Sequence, residues 1–173
     1  MFFSQQFTNC ATCHQLESNS SRTETFSSYQ YHNIGVPINE RARIAANIPL
    51  DVPDEGLIAN PEVDDPAEQG KYKVPTLRNV AVTGPYMHNR VFRSLDTVMR
   101  FYDKFLAGSI NLTNPETGAA WREAPIPETV SFDELQDGRH LRDDDIEALV
   151  CFMRTLTDER YEALIQEDGI ICN

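Results

Sequence analysis

The run C-A-T-C-H at residues 10–14 constrains this chain more than any other feature. On a helix, positions i and i+3 share a face, so Cys10 and Cys13 project together and His14 follows beneath them. That arrangement suits two thioether bonds to the vinyl groups of one porphyrin, with the imidazole as proximal iron ligand. A thioredoxin-like C-x-x-C needs an adjoining βαβ pattern, and a zinc site needs a second closely spaced pair of Cys or His. The sequence has neither. The motif occurs once, so one covalent haem c is expected for the 173 residues. Covalent haem attachment takes place outside the bacterial cytoplasm, which predicts a periplasmic protein. The opening MFFSQQF is too short and too poor in basic residues for an export signal, so a signal is expected upstream of a mature or excised chain.

Hydrophobic residues make up 40% of the chain, enough for a core, so a disordered tail is excluded. A formal net charge of −12 argues against nucleic acid or an anionic membrane as partner and suits a basic redox protein. No apolar run approaches the roughly 20 residues that a membrane span needs. Two further cysteines, Cys151 and Cys172, stand apart from the motif. Their separation permits a disulfide in an oxidising compartment, while the apolar pattern around Cys151 equally suits a buried free thiol.

Residues 2–15 read as a short helix carrying the motif. From Glu17 to Lys73 the chain is loop-rich, with SNSS, the turns GVP and DVPDEG, and the acidic PEVDDPAE. So long an irregular stretch is expected to wrap something large, and a haem is large. Residues 94–107 predict the best helix: Ser94 caps it, Asp96 lies in its first turn, Leu95, Val98, Met99, Tyr102, Phe105 and Leu106 form a stripe, and Gly108 stops it. A second helix is predicted over 143–156 and a third over 158–166. With no alternating strand run in sight, the expected fold is an all-α, cytochrome c-like haem domain with long irregular loops, spanning 1–173 as one unit.

The sixth iron ligand decides what such a haem does. An open position admits peroxide or oxygen, a Met favours electron transfer, and a Tyr phenolate stabilises ferric iron. The candidates are Met87, Met99, Tyr102, Met153, His32, His88 and His140, and spacing alone does not choose among them.

The segment GKYKVPTLRNVAVTGPYMHNRVFRSLDTVMRFYD, residues 70–103, resembles the C-terminal haem domain of the bacterial di-haem cytochrome c peroxidases and the MauG-like di-haem enzymes. YHNIGVP (31–37) and ALVCFMRTLTD (148–158) extend the resemblance to most of the chain. The resemblance implies Tyr102 as sixth ligand, a MauG-like feature, with Met99 one turn earlier as the alternative. It also implies Arg78 as a haem propionate partner, His88 near the inter-domain side of the haem, and the carbonyls of Thr83 and Pro85 as calcium ligands. The function it implies is a haem c domain of a di-haem peroxidase or MauG-like oxidoreductase. Its haem relays electrons to a peroxide-reacting haem in an upstream domain or separate redox subunit, supplied by an electron-donor protein. The alternative is a free-standing mono-haem electron-transfer cytochrome. The sequence departs from the MauG-like pattern two residues before Cys10, where Thr8 stands in place of a Trp. Its only Trp is Trp121, in a Pro-flanked loop.

Overall fold

The computed structural model describes residues 1–4, 6–17, 24–166 and 169–172, so the SNSS stretch at 18–21 lies outside the described residues. Among the described residues five α-helices punctuate a chain of loops: α1 (Cys10–Cys13), α2 (Glu40–Ala45), α3 (Leu95–Asp103), α4 (Phe132–Leu135) and α5 (Asp143–Thr155). Two strands, β1 (Tyr31–His32) and β2 (Tyr72–Lys73), pair antiparallel with Tyr31 opposite Lys73 and His32 opposite Tyr72.

The expectation of an all-α fold is overturned. Only 34% of the structure is helical, part of it in short 3-10 turns, and a two-stranded ribbon is present. Strands of two residues are too short to leave an alternating pattern in the sequence. The helix expected over 2–15 is the single turn Cys10–Cys13, and the one expected over 158–166 is a 3-10 helix, Glu159–Leu164.

Two helices organise the core. Ser94 caps α3 by accepting from Thr97 N at 3.1 Å. The stripe behind it buries Leu95, Val98, Met99 and Phe101. α5 begins on three aspartates and buries Ile146, Leu149, Val150 and Met153 against α3. Each such side chain stabilises the fold by about 2 kcal/mol on burial. Arg100 on α3 reaches Asp143 on α5 at 2.9 Å and its own-helix Asp96 at the same distance, locking the two helices in register. A disulfide joins Cys151 of α5 to Cys172, which ties the C-terminal tail to this helix pair.

Candidate haem site

α1 is one turn whose residues are only partly buried, so it cannot hold itself in place. It is held from outside. Asn9 Nδ2 donates to Asp137 Oδ2 at 3.3 Å, Ser28 N donates to Cys13 O at 2.8 Å, and Arg139 N donates to Phe7 O at 3.1 Å. These contacts present Cys10 and Cys13, both free thiols, to one cavity. Burial pushes both thiols up; Cys13, with Glu134 and Cys10 nearby, reaches about 11. Both are therefore neutral thiols at neutral pH.

His14 follows at the helix end and lines the same cavity. Its Nδ1 lies 3.0 Å from the carbonyl oxygen of Phe26. This contact fixes the ring and leaves Nε2 as the nitrogen available to a metal. Burial lowers the imidazole's basicity, and the carbonyls of Phe26 and Pro75 partly oppose that. Phe26 adopts a φ of 54°, rare for a bulky residue. Its ring is held by Phe2 and Phe152, with centroids 6.2 and 6.1 Å away. The aromatic cluster thus secures the carbonyl that orients His14.

The cavity measures about 660 Å³, within the range of pockets that enclose a cofactor. α3 supplies Leu95, Val98, Met99 and Tyr102 to its wall, and α5 supplies Leu149 and Met153. Among the described residues nothing hydrogen-bonds the Tyr102 hydroxyl, and burial, reinforced by the two cysteines, pushes the phenol's pKa up. A buried phenol normally finds a partner. His32 also lines the cavity, and its Nε2 is buried without a partner. An unmet buried polar atom destabilises by about 1–3 kcal/mol. Two thiols, an oriented imidazole, apolar walls and two unmet polar groups together fit a haem.

The structure gathers Cys10, Cys13, His14, Tyr102, Met99, His32, His88, Met87 and Met153 around this cavity, with Thr83 and Pro85 at its exposed edge. His88 stacks on Tyr72, ring centroids 3.5 Å apart and planes 8° apart, and burial lowers its pKa to about 4. Arg78 lies outside the lining, where it donates to Glu24 O at 2.8 Å and to Glu24 Oε2 at 3.1 Å and covers the Phe26 ring. His140 is also outside it, paired with Asp103. Among the described residues no cluster of three or more His, Cys, Asp or Glu is arranged to hold a metal ion. The Phe26 carbonyl went unforeseen in the sequence, because a backbone oxygen carries no residue signature.

No family model matches the chain. It is 50% identical over 161 residues to the methylamine utilization protein MauG of Paracoccus denitrificans (strain Pd 1222), covering 92% of this chain and 42% of that protein. A 40-residue stretch, 23% of this chain and 11% of the relative, is 50% identical to the cytochrome-c peroxidase IdrP1 of Pseudomonas sp. (strain SCT). The solved diheme peroxidase BthA from Burkholderia thailandensis E264 matches with a TM-score of 0.71 and 29% identity, over 98% of this chain and 44% of that one. Fold and site together define a haem-protein domain. The chain belongs, as a domain, to the MauG-like di-haem peroxidase family. It spans less than half the length of the MauG and BthA chains it matches. Haem c is the cofactor these relatives imply. Among the described residues no helix is long and apolar enough to cross a membrane.

Proposed function

We propose that residues 1–173 form one mono-haem domain, the C-terminal half of a periplasmic di-haem peroxidase or MauG-like oxidoreductase. The observation that carries this reading is that Cys10, Cys13, His14 and Tyr102 line one cavity. Cys10 and Cys13 would hold the haem through thioethers, each thiol adding across a vinyl double bond with sulfur on one carbon and hydrogen on its neighbour. His14 would offer Nε2 to the iron. Tyr102 would offer its oxygen as a phenolate, whose ionisation a nearby ferric charge would favour against the burial that opposes it. When bound, the haem supplies a one-electron couple that a hard anionic ligand holds toward the ferric state.

With both His14 and Tyr102 engaged, the iron would offer peroxide no free position. The domain's role is then to relay electrons to a peroxide-reacting haem in a partner domain or subunit. The relay draws on an electron-donor protein whose basic surface suits a chain of net charge −12. The carbonyls of Thr83 and Pro85, at the cavity's exposed edge, are the proposed calcium ligands toward that partner domain.

Expression in a host competent for haem attachment tests the reading. The denatured chain is expected to weigh one haem more than its polypeptide, and the Cys10→Ala, Cys13→Ala double variant to show the bare mass. A wild-type chain of bare mass from that host refutes it. The relay is tested in the full-length protein: with this haem reduced first, peroxide is expected to reoxidise it, and Tyr102→Phe to change the rate.

A further inference from the structure

Three buried side-chain polar atoms lack a hydrogen-bond partner among the described residues: Thr25 Oγ1, Thr157 Oγ1 and His32 Nε2. Of these residues only His32 lines the cavity. Its place there is fixed twice. β1 sets it opposite Tyr72, another lining residue. The far edge of its ring faces Ser131, whose Oγ is 3.3 Å from Nδ1, and Glu134, whose Oε1 is 4.0 Å from it. Ser131 opens α4 without capping it by its side chain, so its hydroxyl proton is free to go to Nδ1. Where Nδ1 accepts from Ser131, Nε2 carries the ring's proton and is a donor inside the cavity.

A haem offers a donor few targets, because its periphery is hydrocarbon except for two propionate carboxylates. Besides the Glu134 carboxylate next to His32, the cavity carries two cationic side chains that suit an anion. Arg43 and Lys73 also line the cavity. The Arg43 guanidinium donates to the carbonyls of Pro49 and Val52, which are neutral, and the Lys73 ammonium lies over the Tyr29 ring. Both charges are therefore available to offset a carboxylate buried beside them.

We propose that His32 Nε2 donates a hydrogen bond to a haem propionate, with Ser131 setting the tautomer and Arg43 and Lys73 supplying the compensating charge. The assignment rests on the haem reading above. It gives His32 a role distinct from iron ligation, which would instead require an unprotonated Nε2. His32 is thereby a positioning residue: it holds the cofactor's acidic edge and tempers that edge's negative charge near the iron.

The test compares His32→Leu, His32→Gln and Ser131→Ala with wild type, each with haem attached, by denatured mass, ferric and ferrous absorption spectra and spectroelectrochemical reduction potential. The amide of Gln restores a donor at about the reach of Nε2. All four chains are expected to carry haem and to share the same ferric spectrum. His32→Leu is expected to shift the potential downward, because an untempered carboxylate favours ferric iron. Ser131→Ala should give a smaller shift of the same sign, and His32→Gln should return the wild-type value. Should His32→Leu not fold, the other two variants carry the test. Equal potentials throughout overturn the assignment and leave the haem reading standing. A changed ferric spin state in His32→Leu overturns it in favour of iron ligation. A wild-type chain without haem overturns the haem reading, and this inference with it.

Discussion

His140 Nδ1 lies 2.9 Å from the carboxylate of Asp103, the residue that follows Tyr102 at the end of α3. The same fully buried carboxylate accepts from Ser109 Oγ at 2.6 Å, Asn111 Nδ2 at 2.8 Å and Leu141 N at 2.6 Å. Four donors converging on one side chain pin the loops at 109–111 and 139–141 to α3. Asp103→Ala leaves those donors unmet inside the protein. We expect a loss of about 3 kcal/mol, read from urea unfolding midpoints. A loss below about 1 kcal/mol would mean that water reaches the donors and that the carboxylate braces nothing.

Asp145 performs the parallel task at the start of α5. It accepts from Arg139 Nη1 at 2.9 Å and Nη2 at 3.3 Å, and from Arg142 N at 3.1 Å. These bonds, Arg139's foremost, hold its carboxyl below the usual carboxylate range. A carboxyl depressed on folding contributes stability that is complete above its unfolded pKa, about 3.9, and is lost as pH falls through the folded value. Asp145→Asn is expected to lose about 2 kcal/mol at pH 7. The gap from wild type should narrow as the solution is acidified below pH ~4. Unfolding midpoints at pH 7, 4 and 3 measure this, and a constant gap contradicts it.

Cys151 and Cys172 close a loop of sequence separation 21, beside the hydrogen bond of Arg154 Nη1 to Ile170 O at 2.8 Å and the packing of Ile165 and Ile170 on the core. Cys172→Ser is expected to lower stability by roughly 3 kcal/mol through freedom regained by the unfolded chain. It should also open the tail to limited proteolysis ahead of the rest. Cleavage at the wild-type rate would show the tail to be held by its other contacts.

The hydroxyl of Tyr102 has no partner among the described residues, so the packing contributed by the side chain should survive its removal. Tyr102→Phe is expected to convert the ferric spectrum to one with an open coordination position and to admit cyanide, which the wild type is expected to resist. Met99→Leu should leave the spectrum as it is. The opposite pattern would move the ligand to Met99, buried one turn earlier on α3 and lining the same cavity.

Sequence reading succeeded where the signal is local. Ser94 and the stripe behind it located α3, and the aspartates at 143–145 located α5. It overran the end of α3, predicted through residue 107. After Asp103 the backbone closes into turns, Phe105 N to Tyr102 O and Leu106 N to Asp103 O, ahead of Gly108. The ribbon of Tyr31–His32 with Tyr72–Lys73 was invisible, since each strand gives one residue to each face. Long-range pairings were equally hidden. Arg78 has forked donors fit for a propionate, and two of them, Nε and Nη2, go to Glu24, 54 positions away. That Ser131 would engage His32 across 99 positions is likewise a product of the fold, not of spacing.

The contacts that seat α1 also set an order of events. Phe7 and Asn9 are fastened by residues 134–139, and Gly138 approaches Phe7 so closely that an added Cβ would collide with its carbonyl oxygen. Until residues 134–139 dock, the single turn that bears the two thiols lacks these fastenings. Cys10 and Cys13 are therefore most open to reaction while that segment is loose, and its docking shuts the door behind them.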